Sequence, residues 1–176
     1  MSTISPLSPI AAKTQTTPAA VADSANPLLN RVVFILSLVG LMIAGALWYW
    51  HANPVDIPCG ASGGCETVAQ SRYASFPPGS RYPVAMYGVL GYLAIVALAF
   101  LRTLPRSPTR DRGLVSGVAL VSVLGTLISL QLTYVELFVL HAICRWCIAS
   151  QVLILTIALI SGGEWLRLLG LRRHAT

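Results

Sequence analysis

Length, composition and charge exclude most soluble classes of protein. The 176 residues suffice for one domain, and 55% hydrophobic residues, 10% charged residues and a mean hydropathy of +0.71 indicate an integral membrane protein. The net charge of +6 could suggest a nucleic-acid partner, but the arginines stand between apolar segments, and we expect no nucleic acid.

The chain begins with a polar segment that precedes an apolar run. Residues 1–30 are rich in Ser, Thr, Ala and Pro, which predicts a disordered tail. Residues 32–50 are apolar over about the length that crosses a bilayer. Residues 44–46 (Ala-Gly-Ala) resemble a signal-peptide cleavage site, so removal of this segment is one interpretation. Because the apolar run continues into Trp-Tyr-Trp at residues 48–50, which is typical of a membrane interface, we favour a retained helix.

The first polar loop carries two of the four cysteines. Residues 51–81 are rich in proline and glycine and include Cys59 and Cys65. Residues 66–73 could form a short amphipathic helix at the membrane surface. A second span is predicted over residues 84–101.

Two further spans complete the predicted fold. One runs over residues 114–134, and the other follows a connection at residues 136–143. The prediction is an all-α integral membrane protein, a four-transmembrane-helix bundle over residues 31–171 with a cysteine-bearing external loop and a short interfacial helix. Cytoplasmic tails, residues 1–30 and 172–176, flank this domain.

The distribution of arginine predicts the orientation in the membrane. Arg31, four arginines in residues 102–112 and three in residues 167–173 fall on one side of the predicted bundle. The other side carries fewer cations, which acidic residues partly balance. The positive-inside rule therefore places both termini in the cytoplasm and all four cysteines at the external face of the inner (plasma) membrane. That compartment is oxidising, so disulfides persist there.

The strongest chemical signal is Cys-Arg-Trp-Cys at residues 144–147, before the last apolar run. If a helix begins near Arg145, Cys144 and Cys147 lie on its first turn and can form a disulfide, and the helix N-terminus favours a thiolate. A zinc site is a second interpretation, but the other two cysteines are six residues apart rather than two to four, and we expect no metal. An inert disulfide gains little between residues that one helical turn already holds together. A redox pair is favoured.

Four motifs together resemble a known family. They are Cys59-x5-Cys65, Ser71-Arg72-Tyr73, Tyr82-Pro83-Val84-Ala85-Met86-Tyr87-Gly88 and Cys144-Arg145-Trp146-Cys147. Over about residues 31–170 the chain resembles bacterial members of the vitamin K epoxide reductase family. The DsbB family also has four helices and four cysteines, but its adjacent pair lies in the first outer loop and its spaced pair in the second, which reverses the order seen here.

The resemblance implies an electron relay from protein thiols to a quinone. A thioredoxin-fold partner would reduce a Cys59–Cys65 disulfide, and by analogy Cys65 would meet the partner while Cys59 would pass electrons to Cys144. Cys147 would then reduce a quinone, ubiquinone or menaquinone, bound between the helices. Many bacterial members carry a fused thioredoxin-like domain. Because this chain ends at Thr176 without one, we expect the partner to be a separate extracytoplasmic protein.

Two residues of the loop are candidates for the quinone site. Ser71 matches a family serine that lies over the quinone, although a solvated loop serine is the simpler interpretation of the residue by itself. Tyr73 could shape the same cap or anchor the loop at the interface. Glu136 is ambiguous, because an ionisable group at membrane depth is a functional candidate but one at the interface is not. His141 could supply protons, but a polar connection residue is the simpler interpretation.

The predicted function is that of a membrane thiol:quinone oxidoreductase that supports disulfide formation in exported proteins. A quinone-epoxide reductase of the same family is one alternative. A non-enzymatic redox sensor or assembly subunit, in which the disulfides only staple the loop, is another. Quinone reduction by the purified protein would distinguish an enzyme from a protein whose disulfides are purely structural.

Overall fold

The computed structural model describes residues 26–53, 64–104 and 108–173. Cys59, the predicted tail through residue 25 and residues 174–176 lie outside the described residues, so their predicted roles and disorder remain predictions. Within the described ranges the chain is helical and contains no strand apart from one isolated bridge between Ser75 and Pro83.

The described part of the chain contains four long helices. They are α1 (Pro27–Ala52), α3 (Val84–Leu101), α4 (Pro108–Val135) and α5 (Arg145–Arg173), with a short α2 (Gly64–Gln70) between the first two. Each long helix contains an apolar stretch long enough to cross a membrane. Only 17% to 28% of the residues in these stretches are buried inside the protein, so most of their apolar side chains face outward, as lipid contact requires. The predicted four-helix membrane bundle is confirmed.

The observed helix ends refine the predicted bounds. α1 begins at Pro27, inside the segment predicted to be a disordered tail, because the Asn26 side chain accepts the Leu28 N–H at 2.9 Å and caps the helix. The predicted amphipathic helix over residues 66–73 is divided into α2 and a 3-10 turn, Arg72–Ala74. Ser71 lies between them with an extended backbone, and its hydroxyl donates to the Val68 carbonyl at 2.8 Å.

The predicted connection at residues 136–143 is shorter in the structure. α4 continues directly into a π-helical turn, Glu136–Leu140, so Glu136 belongs to the third span rather than to a loop. The turn ends at His141, which has a left-handed backbone (φ 49°) and an exposed side chain. This agrees with the simpler interpretation of His141 as a connection residue.

The helices pack around one central core. α1 packs against α3 and α5, and α4 packs against α3 and α5. The core lies between them and includes Val33, Tyr92, Ile95, Val118 and Ile157. A Cβ atom on Gly40 of α1 would overlap the Tyr92 ring, so the glycine is what allows α1 and α3 to approach at this level.

A buried ion network joins all four long helices at one end of the bundle. Arg102, after α3, donates to Asp111 on α4 and to Glu164 on α5, each at 3.2 Å. Glu164 also accepts the Asn26 N–H at the start of α1, at 2.7 Å. The side chains of Arg102 and Glu164 are only 3% and 4% exposed, so each needs the other as a partner. The Cys144–Cys147 motif lies at the opposite end.

Candidate active site

Cys144 occupies the N-cap position of α5. The helix begins at Arg145, as predicted, and the Cys144 carbonyl accepts the Ile148 N–H at 3.0 Å. Its Sγ accepts the Cys147 N–H at 3.3 Å, in the position where a Ser or Asp oxygen commonly caps a helix. Both cysteines are free thiols. The backbone donors at the helix N-terminus therefore point at the sulfur of Cys144.

This arrangement makes Cys144 the more acidic thiol of the pair. A hydrogen bond with the Cys147 thiol is the main cause that lowers the pKa of Cys144, and the Cys147 and Trp146 N–H groups add to it. Burial and the nearby Glu136 charge oppose this effect without cancelling it. In the structure Cys147 is the donor and Cys144 the acceptor, because Cys144 lies at the cap and Cys147 lies inside the first turn.

The loop cysteine Cys65 lies against the motif. Cys65 is disulfide-bonded and 1% exposed, and it packs in one buried cluster with Cys144, which is also 1% exposed. The approach depends on Gly64, because a Cβ atom there would stand 2.5 Å from the Ile143 carbonyl oxygen. Glycine at the start of α2 thus allows the loop to contact the turn before α5.

A cavity of about 220 Å³ opens beneath the loop, between the helices. Its lining includes every predicted site residue that the structure describes, namely Cys65, Ser71, Tyr73, Cys144 and Cys147. The remaining walls are mostly apolar side chains from α1, α3 and α4. An apolar cavity with a few convergent polar groups is the usual form of a small-molecule site.

The family model of the vitamin K epoxide reductase family matches residues 31–161. The chain belongs to the vitamin K epoxide reductase family. The match spans α1, the described part of the loop, α3, α4 and the motif at the start of α5. As a member of this family with four apolar helices, the protein is a multi-pass membrane oxidoreductase, and the family uses quinones.

The cavity of this family member suits a quinone. Its walls are mostly apolar, as a flat quinone ring requires, and Ser71 and Tyr73 of the loop are hydroxyl groups in the lining from which ring oxygens would accept hydrogen bonds. The Ser71 hydroxyl already donates to the Val68 carbonyl. Within the described part of the chain the Tyr73 hydroxyl makes no hydrogen bond, so of these two side chains it is the readier donor.

A buried carboxylate that the sequence left ambiguous contacts the motif. Glu136 is 4% exposed and lines the cavity. Its Oε2 accepts the Cys144 N–H at 3.1 Å, and its carboxylate is also a hydrogen-bond partner of the Cys147 thiol, whose single proton it shares as an acceptor with Cys144. The signal for it in the sequence is that Glu136 is the only charged residue between Gly113 and Leu140.

A further polar group was missed by the sequence analysis. The Gln151 carboxamide oxygen accepts hydrogen bonds from Ser129 (3.2 Å) and Thr133 of α4, which both line the cavity. The signal that could have found it is spacing. Ser129 and Thr133 are four residues apart, as are Cys147 and Gln151, so each pair lies on one face of its helix.

The thiolate character of Cys144 can be measured by alkylation. In reduced protein near neutral pH, we expect Cys147→Ala to slow the reaction of Cys144 with iodoacetamide by about threefold for each unit by which its pKa rises. The reason is that the substitution removes the hydrogen bond that lowers this pKa most. Trypsin cleaves after Arg145, so mass spectrometry follows the two cysteines on separate peptides. Equal rates in native wild-type and variant protein would contradict the assignment, and in unfolded protein the two rates should converge.

Proposed function

We propose that this protein is a thiol:quinone oxidoreductase that supports disulfide formation in exported proteins. The observation that carries the proposal is the packing of a disulfide-bonded loop cysteine, Cys65, against the free thiol of Cys144 at the edge of one cavity. Thiol–disulfide exchange needs a thiolate to reach a disulfide sulfur, and this packing brings the loop and the motif within reach of each other.

The proposed relay moves two electrons inward. A thioredoxin-fold partner reduces the loop disulfide and is itself oxidised. A loop thiolate then attacks Cys144 Sγ of the Cys144–Cys147 disulfide, and Cys147 leaves with the bonding electron pair. The motif dithiol re-forms its disulfide at the cavity and releases two electrons and two protons. A quinone, ubiquinone or menaquinone, accepts both when it is bound.

The packing favours Cys65 as the loop cysteine that exchanges with Cys144. The family resemblance gave this role to Cys59 and gave contact with the partner to Cys65. A protein that approaches from water needs an accessible sulfur, whereas Cys65 is 1% exposed and lies against Cys144. We therefore assign the internal exchange to Cys65 and the contact with the partner to Cys59, which lies outside the described residues.

Ser71 and Tyr73 complete the proposed quinone site. Both line the cavity near the motif. We assign to Tyr73 the donation of a hydrogen bond to a quinone oxygen, because its hydroxyl has no competing partner among the described residues. Ser71 holds the end of α2 through Val68 and closes the cavity above the ring.

We place the cysteine end of the bundle outside the cytoplasm of the inner (plasma) membrane and both termini inside. The arginine distribution supports this orientation. In cysteine-free protein, single cysteines at two exposed positions should respond oppositely to a membrane-impermeant thiol reagent. Glu66→Cys on α2 should be labelled in intact cells, and Arg110→Cys on α4 only after lysis. The reverse pattern would invert the topology.

Quinone reduction by the purified protein tests the enzyme assignment. With a small dithiol as electron donor, we expect the wild type to reduce ubiquinone or menaquinone and Cys147→Ala to lose the activity, because no motif disulfide can form. Cys65→Ala is the matched control. It should keep the dithiol-driven reaction, since a dithiol can reduce Cys144–Cys147 directly, and lose the reaction driven by a thioredoxin-fold protein. A wild type that reduces neither quinone would contradict the proposed function.

Trapping the exchange intermediate tests the order of the relay. Without Cys147, Cys144 has no partner on its own helix, so a loop cysteine freed from its mate should remain linked to it. The Cys59→Ala/Cys147→Ala variant should accumulate a Cys65–Cys144 disulfide on oxidation, detected by non-reducing peptide mapping. The Cys65→Ala/Cys147→Ala variant is the counterpart, and a crosslink found there alone would restore Cys59 to the internal role. Absence of a crosslink from both folded variants would reject the relay.

A further inference from the structure

Glu136 is a carboxyl group in an apolar setting whose partners are the two reacting cysteines. A buried carboxylate usually requires a cation or several hydrogen bonds. The ion pairs of Arg102 lie at the other end of the bundle, and Glu136 forms no ion pair within the described residues. Its carboxylate instead accepts the Cys144 N–H and hydrogen-bonds the Cys147 thiol.

The backbone is shaped to hold Glu136 in this position. Its carbonyl oxygen accepts the Ala142 N–H at 3.1 Å and the His141 N–H, which closes the π-helical turn. The left-handed conformation of His141 then turns the chain back, so that Cys144, eight residues later, meets the Glu136 carboxylate. π-Helical turns are rare and occur frequently at functional sites.

Formation of the Cys144–Cys147 disulfide requires the loss of two thiol protons. Cys144 lies at the helix N-terminus, where its Sγ accepts the Cys147 N–H, so the proton that is harder to remove is that of Cys147, whose side chain lines the cavity. The other titratable side chains that line this cavity are His51 from α1, Tyr73 from the 3-10 turn, and Tyr87 and Tyr92 from α3, while the disulfide-bonded Cys65 does not titrate. Among the lining residues Glu136 is the only carboxylate, and it is the group that contacts the Cys147 thiol.

We propose that Glu136 is the acid–base catalyst of the Cys144–Cys147 pair. On oxidation, the Glu136 carboxylate takes the Cys147 proton as the S–S bond forms, and the two electrons pass to the oxidant. On reduction, an incoming thiolate attacks Cys144 Sγ, the S–S bond breaks, and Cys147 leaves with the electron pair and receives the proton from the Glu136 carboxylic acid. This role rests on the proposed relay, in which the pair cycles between dithiol and disulfide.

A purely positional role is separable from this one. A glutamine at position 136 keeps an oxygen that can accept the Cys144 N–H, and it has nearly the same size, but it cannot exchange a proton with sulfur. Glu136→Gln therefore removes the acid–base function and leaves the turn between α4 and α5 in place. Glu66→Gln is the matched control, because Glu66 is an exposed carboxylate at the same end of the bundle, and within the described residues its side chain bonds Gln70 and neither motif cysteine.

The test follows reduction of the motif disulfide without any quinone. Full-length Cys59→Ala/Cys65→Ala protein, which retains only Cys144 and Cys147, is purified in detergent, oxidised and mixed with dithiothreitol, and new thiols are counted by alkylation and mass spectrometry. In this background we expect Glu136→Gln to slow reduction near neutral pH by at least about tenfold, since acid–base catalysis commonly contributes more than that. Glu66→Gln should leave the rate unchanged.

The pH profile distinguishes proton transfer from positioning. With Glu136→Gln the reduction rate should change with pH only as the thiolate fraction of dithiothreitol does. The parent protein should be faster than this fraction predicts at lower pH, because there Glu136 carries the proton that Cys147 receives. Parent-like rates, or a slow variant with a parent-shaped profile, would overturn the proposal. If Glu136→Gln fails to fold, Glu136→Asp replaces it. The aspartate variant must still reduce faster at low pH than the thiolate fraction of dithiothreitol predicts, and a rate that follows this fraction alone would also overturn the proposal.

The result is independent of quinone. Failure of the wild type to reduce quinone would reject the proposed function but would not alter the rates measured here.

Discussion

The hydrogen bond from the Cys144 N–H to the Glu136 carboxylate joins the end of α4 to the start of α5, and the active site depends on it. It fixes Cys144 at the N-cap, which sets Cys147 inside the first turn and facing the cavity. A buried N–H without an acceptor destabilises a fold by about 1–3 kcal/mol. The Glu136 side chain therefore supplies the acceptor for this N–H and also brings a carboxyl group close to both sulfurs.

The order of the two sulfurs follows from the helix N-terminus. Backbone donors and the Cys147 thiol point at Cys144, so negative charge is stabilised on a sulfur that is buried in one cluster with the loop cysteine Cys65. Cys147 lies one turn further along the helix, beside Glu136. In the proposed relay, exchange with the loop and chemistry at the cavity therefore fall to different sulfurs of one motif, in a family whose members use quinones.

The two ends of the bundle use buried charge differently. At the far end Arg102 is matched by Asp111 and Glu164, so the carboxylates there have a cation and serve to join the helices. At the cysteine end Glu136 has thiol and amide partners instead. A carboxylate held by a cation keeps its charge, whereas one held by a thiol can exchange a proton with it. This difference in partners distinguishes Glu136 from Asp111 and Glu164, and the acid–base role proposed for Glu136 rests on it.

The sequence alone determined the four-helix membrane fold, the start of α3 at Val84 and the start of α5 at Arg145, because apolar length and helix-end signals are local. It also identified the cysteine motif and the family. The tertiary structure decided that Cys65 packs on Cys144 and that Ser71 and Tyr73 line the same cavity, since these residues are far apart in the chain. It also moved Glu136 from a predicted connection into the site. The π-helical turn that does so is closed by hydrogen bonds from the N–H groups of residues 141 and 142 to the Glu136 carbonyl. The pattern of apolar residues does not report backbone hydrogen bonds of this kind, so the sequence alone could not predict the turn.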